Sequence, residues 1–170
     1  VLLDTLSDLT IWIETNRETF RGYARTLCGI EDGLILGMSS DDRGQLLGLG
    51  PGVLIDHACT GWTAQLYWHY YLYTGDQGFL RERAFPFLRS TLRVYEAMLE
   101  ERDGRLSLAA GISAEFGNDI YPRNMGRDPS WQLACIHMLV DALTEAARIL
   151  GVPPEPAWAV LREKVPPFTL

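Results

Sequence analysis

Residues 57–75 contain no Asp, Glu, Lys or Arg. An uncharged run of that length nears the ~20 residues that cross a bilayer, so its polar content decides what it can be. His57, Thr60, Thr63, Gln65, His69 and four tyrosines lie within it, too many hydrogen-bonding groups to leave in hydrocarbon without partners. The run therefore reads as a helix buried inside a protein, from about Cys59 to Tyr73, and a membrane is not an expected partner. Thr74-Gly75-Asp76 ends it: Gly suits the left-handed position that closes a helix, and Asp76 stands where the N-cap of the next helix belongs.

The rest of the chain is read around this helix. Leu3, Leu6, Leu9, Ile13, Phe20, Ala24 and Leu27 keep a helical spacing, which predicts one long or broken amphipathic helix ending at Gly29. Glycines at 29, 33, 37, 44, 48, 50 and 52 predict a long loop with at most short extended pieces. Asp76 opens a third helix through Met98, which Pro86 should kink or divide. Glu101-Arg102-Asp103-Gly104 reads as a turn, and 105–127 as a second long irregular connection. Asp128 as N-cap with Pro129 in the first helical position starts a helix to Leu150, closed by Gly151. A short helix over about 156–164 is ended by Pro166-Pro167. Alternating strand patterns and short repeats are absent. The expected fold is all-α, with four or five helices and two long irregular loops, in a single region, 1–170.

Charge and cysteine usage narrow the function. Fifteen Lys+Arg against 22 Asp+Glu give a net charge of −7, so no basic field exists to grip a phosphate backbone, and nucleic acid is not an expected partner. Cys28, Cys59 and Cys135 are widely spaced, odd in number and without a CxxC, which argues against a disulfide framework or zinc knuckle and favours a reducing, cytoplasmic compartment. The opening Val-Leu-Leu-Asp-Thr lacks a basic leader and an initiator Met, as an excised piece would. His57, His69 and His137 show no HxxxH or HExxH spacing, so no metal site is expected. Gly48-Leu49-Gly50-Pro51-Gly52 lacks the lysine and helix start of a phosphate loop, and no GxSxG occurs. No cofactor is expected.

Two features carry candidate chemistry. Trp62, Gln65, His69 and Leu72 or Tyr73 recur at three- and four-residue steps and share one helix face. Indole, amide and imidazole together suit a sugar, whose apolar C–H side packs on an aromatic plane while its hydroxyls need neutral donors and acceptors. The competing reading is a tightly packed helix whose Trp and Tyr satisfy each other internally. Glu115, in Ser113-Ala114-Glu115-Phe116-Gly117-Asn118, has few charges on its N-terminal side. Partial burial there would raise its pKa and make it a proton donor, whereas a solvated loop carboxylate is the plain alternative.

These residues resemble a known family. Gly61-Trp62-Thr63-Ala64-Gln65-Leu66-Tyr67-Trp68-His69-Tyr70-Tyr71-Leu72-Tyr73-Thr74-Gly75-Asp76, then Phe79-Leu80 and Pro86, is similar to the W-x-x-Q-x-x-W-x-x-Y-x-x-T-G-D…F-L…P signature of glycoside hydrolase family 95, the inverting α-L-fucosidase type. Ala24-Arg25 to Gly33, Ser113-Ala114-Glu115 and Trp158 to Phe168 extend the resemblance over nearly the whole chain. It implies an (α/α)6 toroid, twelve helices in inner and outer rings, of which this chain is a part. It also implies a carbohydrate substrate, Glu115 as the general acid and Trp62 as the pocket tryptophan, with Gln65, His57, His69 and Asn118 as further substrate-binding candidates. The water-activating N-x-N pair and a later Asp belong to regions outside this sequence, so the isolated chain is expected to be inactive. The other helices of the parent domain, or a second copy, would cover its open edge. Ala114 in place of Pro, Gln132 in place of Asp and His69 in place of Glu imply a shifted sugar choice with the reaction type kept. The alternatives are a non-catalytic carbohydrate-binding module and a helical scaffold or protein-interaction piece.

Overall fold

A computed structural model describes residues 2–37, 39–45, 58–112 and 125–168. The chain is mostly helical, as the periodicity predicts. Helix α1 spans Leu2–Thr15 and α2 spans Arg17–Cys28. The break falls at Asn16, whose side-chain amide donates to the Trp12 carbonyl at 2.9 Å and to the Asp42 carbonyl at 3.1 Å. A short amide that bonds backbone in this way competes with helix propagation. Gly29 closes α2 at φ 69°. Of the predicted apolar stripe, Ile13, Phe20 and Ala24 are buried, while Leu27 is 42% exposed.

After Gly29 the described residues run without helix, yet Leu34, Ile35 and Leu36 are all buried. The Leu34 N–H donates to the Ser90 carbonyl and the Ile35 N–H to the Phe20 carbonyl, each at 3.3 Å. The Leu36 N–H donates to Thr60 Oγ1 at 2.9 Å. This aliphatic triplet is thus stitched to three helices and belongs to the core.

Helix α3, Ala58–Thr74, matches the sequence expectation within one residue at each end, and Gly75 is left-handed at φ 66°. The Asp76 carboxylate accepts the Phe79 N–H at 2.9 Å, the N-cap role expected of it. Helix α4 occupies 77–98 in three consecutive pieces, Gln77–Phe79, a π-helical turn Leu80–Ala84, and Phe85–Met98. Pro86 therefore does not end the helix. The Phe85 N–H reaches back five residues to the Leu80 carbonyl, so the ladder is already opened where the proline ring would strike a carbonyl one turn earlier.

The connection expected to be wholly irregular contains strands, which corrects the all-helix reading locally. β1, Leu99–Arg102, pairs antiparallel with β2, Arg105–Leu108. Asp103 and Gly104 both have positive φ, 51° and 78°, the requirement of a tight Asp-Gly hairpin turn whose twist matches its strands. β3, Gly111–Ile112, then pairs with β4, Met125–Gly126. Helix α5, Ser130–Leu150, follows and is closed by Gly151 at φ 67°. The N-cap of α5 is Pro129, not Asp128. Asp128 is itself left-handed at φ 50°, and its carboxylate is taken by the Leu108 N–H at 2.7 Å and Ser107 Oγ at 2.9 Å. A tertiary partner has claimed the side chain that the local sequence offered to the helix. Helix α6, Pro156–Lys164, ends before Pro166-Pro167 as expected.

Helices α3, α4 and α5 pack on one another around Tyr67, Phe87, Tyr95, Leu133 and Ile136. Tyr67 is 2% exposed, with its ring 4.7 Å from Phe87 and 5.5 Å from Phe79. Helices α3 and α5 come close at Gly61. A Cβ there would lie 2.8 Å from both Cβ and Sγ of Cys135 and 3.0 Å from the Tyr95 hydroxyl, so only glycine lets α3 and α5 meet at this crossing.

Candidate active site

Helix α3 buries Thr60, Gly61, Ala64 and Tyr67 and turns the opposite face outward. Trp62 is 58% exposed, Leu66 42% and Tyr73 84%, with His69 exposed between them. Gln65 is half-buried, on the flank that also carries Gly61 and faces α5. Of the predicted aromatic and polar face, Trp62, His69, Leu72 and Tyr73 are exposed, while Gln65 is half-buried. Its members are not all neighbours: seven residues of helix, roughly 10 Å of rise, separate Trp62 from His69, whose ring lies 6.5 Å from Tyr73.

The Trp62 ring meets Trp131, at the start of α5, with centroids 6.0 Å apart and planes at 76°, the edge-to-face geometry that aromatic quadrupoles favour. Trp62 also lines a concavity of 320 Å³ with Leu9, Trp12, Leu36, Gly37, Cys59, Thr63 and Leu66. That hollow is mostly apolar. The Trp12 indole N–H donates to the Asp41 carbonyl at 3.0 Å, which anchors its far wall.

His57, Glu115 and Asn118 lie outside the described residues. The backbone on both sides of the segment carrying Glu115 is described and firmly held. β3 and β4 pair Gly111 with Gly126 and Ile112 with Met125. Gln132, fully buried, donates from Nε2 to the Ile112 carbonyl at 2.7 Å. A Cβ on Gly111 would lie 2.5 Å from Pro129 Cγ, so β3 sits directly against the start of α5. Asp128 ties the same region to β2, and Arg127 adds bonds to Glu100 at 2.5 Å and Ser107 at 3.0 Å.

Among the described residues, no group of three His, Cys, Asp or Glu is placed to hold a metal ion, and no helix is long and apolar enough to cross a membrane. Burial pushes the Cys28 thiol and the Tyr67 hydroxyl up from their ordinary pKa values. Sequence reasoning missed Trp131, the Gly61–Cys135 crossing and the Asp128 clamp. Each depends on a partner far away in the chain; the Asp-Pro-Ser start signal and the departure at Gln132 drew attention to this place.

The chain matches the model of the glycosyl hydrolase family 95 catalytic domain over residues 2–169. It is also similar to a kojibiose hydrolase of Flavobacterium johnsoniae, 28% identical over 111 residues that make up 65% of this chain. The matched stretch spans 16% of that protein's length. With a family match running almost end to end over a helical fold that carries the expected aromatic face, the chain belongs to the catalytic-domain family of the family 95 glycosyl hydrolases.

Proposed function

We propose that this chain forms part of an inverting glycosidase that cleaves α-linked sugars, fucosidase-like in mechanism, with Glu115 as the general acid and Trp62 as the stacking wall for the sugar ring. The supporting observation is the Gln132–Ile112 hydrogen bond at 2.7 Å. It ties the root of the segment bearing Glu115 to the first turn of α5, and the residue next to Gln132 is the one whose ring meets Trp62. Glu115 is three residues beyond Ile112, a reach of at most about 11 Å. The strand end from which the Glu115 segment continues and the Trp62 indole thus both meet the start of α5.

Chemistry and energetics favour the same assignment. Leaving more than half of an indole in water forgoes about 1–2 kcal/mol of burial, which a sugar's C–H face recovers on stacking. In this reading Glu115 protonates the glycosidic oxygen as the bond breaks. A second carboxylate-based group, roughly 6.5–9.5 Å across the sugar, activates water on the opposite face. That group comes from outside this chain, from the rest of the parent domain. Gln65, His57 and Asn118 contact hydroxyls of the stacked unit, while His69, about 10 Å further along α3, reaches a neighbouring unit.

The test uses the full natural polypeptide, assayed on a nitrophenyl α-L-fucoside and on kojibiose, the second chosen from the relative's name. Proton NMR of the first product should give the β anomer. Glu115→Gln should lower kcat on kojibiose, whose departing sugar must be protonated, by roughly 10²–10⁴, and the isolated 170-residue chain should be inactive. Wild-type turnover of kojibiose by Glu115→Gln would remove the acid from the mechanism. Sugar binding without turnover in the full polypeptide would leave a carbohydrate-binding module.

A further inference from the structure

We infer that Trp131 is a positioning residue that holds the Trp62 indole upright for sugar stacking. This inference rests on the reading of Trp62 as the sugar wall and extends it to a residue on another helix. Trp62 projects from α3 beside an apolar hollow lined by Leu9, Trp12, Leu36 and Leu66, surfaces against which an unsupported indole lies down. Trp131 meets its ring edge to face, with centroids 6.0 Å apart and planes at 76°.

The support is rigid because of where it stands. Cys135 is one turn beyond Trp131 on the same face of α5, and its Cβ and Sγ occupy the space a side chain at position 61 would need. Gly61 is the immediate neighbour of Trp62. The close Gly61–Cys135 crossing is therefore next to the indole pair along both helices, and the half-buried Trp131 is packed against the core. An edge-on contact between two rings on a fixed crossing sets the plane of the exposed one. Preorganising a stacking platform in this way spares the sugar the cost of ordering it.

The experiment measures steady-state kinetics of the full natural polypeptide on whichever nitrophenyl α-glycoside it hydrolyses, with Trp62→Ala, Trp131→Ala, Trp131→Phe and the double alanine variant. The expected result for Trp131→Ala is a rise in KM of about 5- to 20-fold with kcat within twofold. Trp131→Phe, which keeps a ring edge, should restore KM to within twofold of wild type. The double alanine variant should resemble Trp62→Ala alone, because the two rings act as one unit. Circular dichroism supplies a readout independent of activity and of alanine folding defects: the exciton couplet of the paired indoles should vanish in Trp131→Phe. If Trp62→Ala raises KM while Trp131→Ala does not, the positioning role is overturned and the sugar wall stands. A KM unmoved by Trp62→Ala would remove the sugar wall and this proposal with it, as would a couplet unchanged in Trp131→Phe remove the contact itself.

Discussion

Gly61→Ala is the sharpest probe of how the site is built. The added methyl would sit 2.8 Å from Cys135 Cβ and Sγ and 3.0 Å from the Tyr95 hydroxyl. Cβ atoms do not swing away, so α3 and α5 must part. Overpacking of this kind costs about 1–3 kcal/mol, with values near the top expected where backbone-proximal atoms collide. Replacing a mid-helix glycine by alanine returns about 1 kcal/mol. The net expectation is a local destabilisation of about 1–2 kcal/mol, a factor of roughly 5–30 in the opening equilibrium. Amide exchange by mass spectrometry over 58–74 and 130–150 should speed up by that factor. Cys135→Ala removes the sulfur and leaves the Cβ, so the double variant should recover part of the loss, a coupling of about 0.5–1 kcal/mol. Exchange in Gly61→Ala that is unchanged or slower than wild type would refute the close crossing.

Two further outcomes follow from the same geometry. Gln132→Leu removes the donor to the Ile112 carbonyl in a fully buried place and should cost about 1–3 kcal/mol; exchange at 111–112 and 125–126 should accelerate while α4 and α6 stay protected. Glu14 is held below the usual carboxylate range, first by its hydrogen bond from Arg17 and then by the charges of Arg17, Arg83 and Arg21. A depressed carboxylate gives stability that is present above its unfolded pKa and lost as pH falls through the folded value. The attachment of α1 to α4 through Glu14 and Arg83, 3.6 Å apart, should therefore loosen below about pH 4, by under about 1 kcal/mol because the pair is partly solvated. Glu14→Gln should abolish that pH dependence of exchange in α1.

What was legible in the sequence depended on local signals. The charge-free run ending in Thr-Gly-Asp marks α3 almost to the residue because glycine and a capping carboxylate act within one turn. The same holds for Gly151 and for the proline-bounded α6. The β1–β2 hairpin was hidden because its flanks, Leu-Glu-Glu-Arg and Arg-Leu-Ser-Leu, lack clean alternation, and only Asp103-Gly104 signals it. Leu34-Ile35-Leu36 read as loop between glycines, yet three helices supply its hydrogen bonds. Asp128 carried the right local signal for an N-cap and was diverted by Ser107 and Leu108, 21 and 20 residues earlier. At the site, periodicity put Trp62 on one helix face with Gln65 and His69, and the family resemblance supplied its expected pocket role. Trp131 and Gly61 were not visible, because their meaning comes from one crossing of two helices far apart in sequence.

The central claim is that Glu115 delivers a proton to a sugar stacked on Trp62, and leaving-group dependence tests it most directly. With the full natural polypeptide, kcat/KM would be measured for wild type and Glu115→Gln on a series of aryl α-glycosides whose phenols range from strongly to weakly acidic. The account predicts that the variant is crippled on weakly acidic phenols, which need protonation to depart. It should approach wild type on the most acidic ones, which do not. A loss of equal size across the series would contradict the acid role, because a defect in folding, binding or water activation falls on every substrate alike.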